Sequence, residues 1–296
     1  MTIDLAQTIA NEAPAPVVRT RGVLRRSLRL WRTRIGLAIT VALVLVAIFG
    51  PYFAPHDPSA LLGRPYQVPS PGLPLGADYL GQDVLSRFLY GGRSILLVSV
   101  ISTVLGVGGG VLIGLWAALS KGWVDNALLR GTDILLAFPQ ILLALIVIAT
   151  VGPKTWLIVL TVALTTLPRT VRVIRGAATS VVEREFVDAA RANGDSQLRI
   201  ALVEVLPNVI GALGVETTFR LTYAVQLIAA LAFLGFAANP NEPNWGTMVS
   251  QNSSALTLQP NAPLVPAVAI ALLTVGVGLV GDGIARAAAG IDRGTS

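Results

Sequence analysis

Apolar residues along this chain come in long unbroken runs, and the polar residues gather in the gaps between them. A membrane-spanning helix needs about 20 mostly apolar residues. Six stretches meet or approach that length: "IGLAITVALVLVAIFGPYF" at 35–53, about Ser94 to Leu119, and "ILLAFPQILLALIVIATV" at 134–151. The fourth, "TWLIVLTVALTTL", opens at Thr155; the fifth runs from about Val209 to Phe236, and the sixth is "APLVPAVAIALLTVGVGLVG" at 262–281. The fourth is short because Pro168 ends it. Pro139 predicts a kink in the third. The first could be read as a signal peptide, but "GPYFAPHDP" after it has no small-residue cleavage site, so it reads as a retained anchor.

The flanking charges orient these spans. Counting alternate gaps as cytoplasmic puts 17 Lys and Arg residues on one side and four on the other, with Arg220 inside a span. Positive residues stay inside, so both termini are expected in the cytoplasm. Seven of the seventeen are Arg19, Arg21, Arg25, Arg26, Arg29, Arg32 and Arg34, ahead of the first span. Within "VLRRSLRLWRTR" (23–34), Leu24, Leu28, Trp31 and Ile35 share one helical face. That pattern suits a basic amphipathic helix on anionic lipid; topogenic charge without a fixed helix is the plainer alternative. Composition agrees with a membrane protein: 53% hydrophobic, 13% charged, no cysteine. The net charge of +6 forms no basic stripe interleaved with aromatics, which argues against a nucleic-acid partner.

One polar stretch is ordered enough to carry function. "EREFVDAARAN" (183–193) holds helix formers behind acids suited to a helix N-terminus. Gly194 is placed to end that helix in the left-handed conformation. Asp195 or Ser196 can cap a second helix over 197–206. Pro207 then predicts a kink leading into the fifth span. A rigid elbow attached to a transmembrane helix can transmit force.

Inside the apolar runs a few residues stand out. Gly106, Gly110 and Gly114 line one face of the second span, a spacing for close helix packing within the subunit or against a companion. Lining a substrate path is the other reading. Glu216 and Arg220 are spaced i,i+4 within the fifth span, either neutralising one another or facing a translocation path together with Gln226. Outside the membrane, Asp83 can cap a short helix and pair with Arg87. Val84, Leu85, Phe88 and Leu89 are expected to face lipid or protein, with Tyr90 at the interface. Asp133 is expected to cap the third span. His56, a lone histidine, reads as plain surface and makes no metal site. No G-x-x-x-x-G-K-[ST], H-E-x-x-H or G-x-S-x-G occurs, so this chain has no phosphate-cradling loop of its own and hydrolase chemistry is poorly supported.

Four segments together carry a family resemblance. Asp188-Ala189-Ala190, three residues, Gly194, then nine residues to Glu204-x-Leu206-Pro207 resembles the EAA loop of bacterial ABC importer permeases. "LGADYLGQDVLSRFLYGGRSILLV" (75–98), "RGTDILLAFPQILLAL" (130–145) and "AFLGFAANPNEPNWGTMV" (232–249) are similar to signatures of the dipeptide/oligopeptide/nickel subfamily, C type. Asp188 stands where the family has Glu, Glu204 where it usually has Ile, and Ala77 and Gln82 are further departures. The resemblance implies an all-α integral membrane protein with six transmembrane helices in the ABC type I importer permease fold. It divides the chain into a cytoplasmic segment 1–34, a permease domain 35–282 with outer loops 54–93 and 237–261 and a coupling loop 176–207, and a cytoplasmic tail 283–296.

It also implies partners: a companion permease subunit in a heterodimer, two cytoplasmic ATPase subunits that carry ATP and Mg, and an extracytoplasmic substrate-binding protein delivering peptide. No cofactor is expected on this chain. The coupling contact would be made by Glu185, Asp188, Ala189, Ala190, Arg191, Gly194, Leu206 and Pro207, and the outer interface by Asp78, Asp83, Arg87 and Trp245. The bacterial inner membrane is the implied location. A self-sufficient secondary transporter or channel is the alternative; it would show an internal repeat with matched broken helices, and no repeat is evident. An assembly scaffold would leave the glycine and elbow placement unexplained.

Overall fold

The computed structural model describes residues 25–289 apart from 121, 238, 240 and 241. The described residues form helices and loops without a named strand: α1 Trp31–Phe53, α2 Val84–Leu119, α3 Trp123–Ala137, α4 Gln140–Val151 and α5 Thr155–Val182. There follow α6 Glu185–Ala192, α7 Gln197–Phe233, α8 Trp245–Gln251 and α9 Asn261–Ala289. Helices α1, α2, α5, α7 and α9 are each long and apolar enough to cross a membrane. The pair α3 and α4, bent by 80° at Phe138–Pro139, completes six when counted as one span. Pro139 therefore breaks the third span rather than kinking it.

Several boundaries differ from the sequence reading. At 36 residues, α2 is about 54 Å long, so its first turns project beyond a hydrocarbon core of about 30 Å. It begins at Val84, ten residues before the expected start, because Asp83 caps it there, accepting from the N–H groups of Leu85 and Ser86. Pro168 does not end the fourth span: it is buried inside the 28-residue α5. The turn before it is supplied with side-chain donors: Thr165 Oγ1 to the Val162 carbonyl, Thr166 Oγ1 to Ala163, and Gln140 Nε2 to Thr165 at 2.8 Å. The expected basic helix at 23–34 lies partly outside the described residues. Its described part is broken: residues 25–27 are helical, the chain turns, and α1 starts after Leu30 in extended backbone. Arg34 Nε takes the Leu28 carbonyl freed by that turn, at 2.9 Å. Arg19, Arg21, Lys121 and Arg293 also lie outside the described residues.

The α2–α5 contact is the core of the bundle, and the glycine stripe makes it. A Cβ on Gly110 would lie 2.6 Å from Thr170 Cβ, and one on Gly114 2.9 Å from the Val171 carbonyl oxygen. Gly106 meets Ala163 and Thr166 in the same way. The stripe thus serves packing within this subunit. On the opposite side of α2, Leu97, Val104 and Leu112 are each more than 60% exposed, a surface for lipid or another subunit.

The loops expected on the outer side form a polar cap at one end of the bundle, stitched by buried side chains. Asp78 Oδ1 accepts from the N–H groups of Leu80 and Gln82, both at 2.9 Å. Its Oδ2 lies 3.2 Å from Arg87 Nε, with both side chains almost wholly buried. Arg87 also donates to Gln82 Oε1. The ion pair expected between Asp83 and Arg87 is therefore Asp78–Arg87, since Asp83 is occupied as the α2 cap. Asp83 Oδ2 accepts from Ser86 Oγ at 2.6 Å and lies 3.3 Å from His56 Nδ1. His56 is accordingly part of the cap and not plain surface.

Val84 is buried, and Phe88 stacks on Trp245 with ring centroids 5.4 Å apart. Trp245, assigned to the outer interface, has no exposed surface at all; its Nε1 donates to the Phe88 carbonyl at 2.8 Å. Gln259, equally buried, donates to the Leu75 carbonyl at 2.5 Å. The Tyr79 N–H reaches Asn252 Oδ1 at 3.0 Å. Both outer loops therefore form one unit.

Two stability measurements on the purified chain test this account. Gly110→Leu should lower the unfolding free energy by about 1–3 kcal/mol through overpacking, whereas Gly108→Leu, where a Cβ meets nothing within 4 Å, should be close to neutral. Asp78→Ala leaves Arg87 buried without its carboxylate and should cost about 3–5 kcal/mol; a loss near that of an exposed substitution such as Asp57→Ala would show that the pair does not hold the cap.

Candidate functional site

The polar elbow between α5 and α7 is a short helix held against the end of the bundle opposite the cap. Helix α6 starts after Arg184 and carries Glu185 and Asp188 in its first turn and Arg191 in its last, signs that match the helix dipole. Gly194 follows with φ +83°, the left-handed conformation expected of it. The Asp195 N–H reaches back to the Ala190 carbonyl at 3.1 Å and the Gly194 N–H to Arg191 at 3.0 Å, closing the helix end. Ser196 Oγ then accepts from the Arg199 N–H at 3.3 Å and caps the next helix.

Two faces of α6 divide the work. Val187 and Ala190 are buried in an apolar cluster with Leu115 and Leu119 of α2, Ile174 and Ala178 of α5, and Ile200 and Val205 of α7. Glu185, Asp188, Ala189, Arg191 and Gly194 are exposed. Asp188 and Arg191 pair at 2.9 Å, and Asp195 and Arg199 at 3.3 Å. Of the Asp188-Ala189-Ala190 triplet, Ala190 thus belongs to the bundle and only the first two face outward. Beside them opens a cleft of about 590 Å³ whose walls include Ser120, Val124, Arg191, Asp195 and Gln197.

Pro207 is where sequence and structure part most clearly. The helix expected over 197–206 does not stop before the fifth span: helical backbone runs on through Pro207, from Gln197 to Phe233 over 37 residues. Residues Ile200–Val205 take π-helical turns, with the Leu206 N–H reaching the Ala201 carbonyl five residues back. The wider turn ends where Pro207 has no N–H to offer, and Pro207 sits in the first turn of the regular helix that follows, where none is needed. Asn208 Nδ2 takes the Glu204 carbonyl at 2.6 Å. Leu206 is half-buried and Pro207 exposed. The coupling segment and the fifth span are consequently one continuous rod.

Deeper in the bundle, Glu216 Oε1 lies 2.9 Å from Arg220 Nε and accepts from Thr170 Oγ1 of α5 at 3.1 Å. Glu216 is buried and Arg220 only 12% exposed. The Arg169 guanidinium sits over the Tyr223 ring, 5.9 Å from its centroid. Gln226 is exposed on another face of α7 and does not join the pair.

Residues 125 and 133, in contrast, were unforeseen as anchors. Asp125 takes Arg175 through two bonds of 2.7 and 2.5 Å, and Asp133 takes Arg172 at 2.5 Å. Asp133 lies inside α3 and caps nothing; the two acids clamp α3 to α5 instead. The i,i+3 arginines opposite two acids were the available signal, hidden because the acids and the arginines are some 40 to 50 residues apart.

Known proteins share this pattern. Residues 110–289 match the family described as binding-protein-dependent transport system inner membrane component, and residues 20–70 the N-terminal transmembrane domain of oligopeptide transport permease C. A di/tripeptide transport system permease protein of Pseudomonas aeruginosa is 35% identical over 256 residues, 84% of each chain. A glutathione transport system permease protein of Pectobacterium atrosepticum is 31% identical, covering 92% of this chain and 93% of its own. A putative peptide transport system permease protein of Brucella suis is 35% identical over 91% of this chain and 90% of its own. Among solved structures, the inward-facing MetNI methionine ABC transporter superposes with a TM-score of 0.54 at 18% identity, over 66% of this chain and 93% of that one, a likeness of fold. The chain belongs to the inner-membrane permease family of binding-protein-dependent ABC importers, in its dipeptide/oligopeptide permease C branch.

Proposed function

We propose that this permease forms half of the translocation pathway for di- or oligopeptides, in a heterodimer with a companion permease, and that the exposed face of α6 is gripped by a cytoplasmic ATPase. Two ATPase subunits would bind ATP and Mg, and an extracytoplasmic binding protein would deliver the cargo. The relatives named for di/tripeptide, peptide and glutathione transport support a peptidic cargo. Both termini lie in the cytoplasm in this reading, as the arginine-rich flanks require.

One observation carries the mechanism: α7 runs unbroken from the elbow at Gln197 into the bundle at Phe233. A displacement imposed on Glu185, Asp188, Ala189 or Arg191 passes through the Val187 and Ala190 packing into a rod that reaches Glu216 and Arg220. Closure of the ATPases would tilt that rod and exchange outward for inward access. ATP and cargo must favour different states for the exchange to be driven. Glu216, Arg220 and Gln226 belong to the proposed path, the first two as a neutralised pair near its inner third. Asp78, Asp83, Arg87 and Trp245 hold the outer cap on which the binding protein would settle.

Two experiments separate these parts. Ala189→Trp adds bulk on the exposed face, so the permease should fold normally yet lose ATPase co-purification; Ala190→Trp, aimed into the apolar cluster, should destabilise the fold itself. Equal behaviour of the two variants would dismiss the docking face. In the reconstituted importer, a Glu216→Gln/Arg220→Gln double variant should reduce uptake at least about tenfold, the scale of losing one charge-assisted contact, while assembly persists. Normal uptake by that variant would remove the pair from the path.

A further inference from the structure

Charge at the Glu216 site does not balance. Arg169 stands 14 residues into α5 and Arg220 13 residues before the end of α7, each about 20 Å from the outer end of its helix at 1.5 Å per residue. With those outer ends at the membrane face, both lie about two-thirds of the way across a hydrocarbon core of about 30 Å. Among the described residues the site holds two guanidinium groups and one carboxylate. That carboxylate is already committed, since Glu216 Oε1 serves both Arg220 and Thr170.

Two further observations point to an anion as the ligand this site suits. The Arg220 Nε–Glu216 contact is an ion pair too poorly aligned for a hydrogen bond, and Arg220 Nη1 is buried with no acceptor. Arg169 is exposed on the bundle surface, and its recorded partner is the Tyr223 ring. A bare guanidinium at this depth is costly against lipid and is found facing a bundle interior or a watery cavity. Tyr223 stands three residues after Arg220 on α7, where i,i+3 side chains are neighbours, and carries the Arg169 guanidinium over its ring, so the three side chains form one site. Tyr223 holds the Arg169 guanidinium by its π-face, leaving the N–H edge free for a bidentate acceptor.

We infer that Arg169, Arg220 and Tyr223 form an anion-binding station in the translocation path that takes the free carboxylate of the cargo. This rests on the peptide-import reading and adds the chemistry by which the permease itself, apart from any binding protein, selects what passes. Arg169 supplies the planar fork and Arg220 the buried positive field. Thr170 holds Glu216, and Glu216 in turn keeps Arg220 in place. The station favours cargo with an accessible carboxylate and holds it weakly enough to release, because Glu216 already offsets half of the positive charge.

The test uses the complete importer in proteoliposomes, with alanyl-alanine and alanyl-alanine amide as radiolabelled probes. Arg169→Gln should lower alanyl-alanine uptake about tenfold and amide uptake by less than about twofold, the difference expected of one charge-assisted hydrogen bond. Arg169→Lys should recover most of the loss by keeping the charge. Tyr223→Leu, which frees the guanidinium without removing it, should show the same selectivity with a smaller loss. ATP hydrolysis stimulated by the loaded binding protein should persist in all three. Equal loss of both probes together with less assembled complex would mean that Arg169 pairs with an acid of the companion subunit, and the inference falls. Unchanged alanyl-alanine uptake in Arg169→Gln also overturns it while leaving peptide import standing. A wild-type importer that moves neither probe removes both.

Discussion

Hydrocarbon offers no hydrogen-bond partner to a freed backbone group, and that one constraint organises the whole chain. Where a helix continues through a proline, a local supply of donors accompanies it; where none is at hand, the helix breaks. Around Pro168 the supply is Thr165, Thr166 and Gln140, and α5 continues straight through. Around Pro207 it is a run of π-helical turns with Asn208, and α7 continues as well. At Pro139 no such run of donors is recorded, and the chain bends by 80°. Three prolines in apolar surroundings thus have different outcomes, set by their neighbours.

The unbroken α7 gives the elbow its mechanical meaning. A break in the helix at Pro207 would absorb displacement at the point where it must be passed on. The π-helical turns instead keep the rod continuous and place Ile200 and Val205 in the cluster that also holds Val187 and Ala190. The elbow, the inner end of α2 and the inner end of α5 are therefore one packed body. The α2–α5 glycine contact anchors that body, since the stripe lets Thr166, Thr170 and the α5 backbone press directly against α2.

Charges follow the same constraint. Outside the membrane, Asp78 and Arg87 are buried together and surrounded by backbone donors, which makes the cap rigid. At the inner end, Asp125 and Asp133 neutralise Arg175 and Arg172, so the amphipathic α3 is tied to α5 by ion pairs where its packing is sparse. Within the bundle, Arg169 and Arg220 share a single nearby carboxylate, Glu216.

The sequence by itself determined the helical class, the approximate spans, the left-handed turn at Gly194, the shared helix face of Gly106, Gly110 and Gly114 and the i,i+4 spacing of Glu216 and Arg220. Each follows from local periodicity, from spacing within one helix or from what a single residue type permits. The tertiary structure alone decided which face of α6 is free, that Ala190 is not on it, that Arg87 belongs to Asp78, and that Trp245 is buried under the cap. It also decided the fate of each proline and brought Thr170 and Arg169 of α5 to the fifth span. Those outcomes turn on contacts between segments far apart in the chain, where a donor, a carboxylate or an apolar partner arrives from another helix, and no local pattern records its arrival.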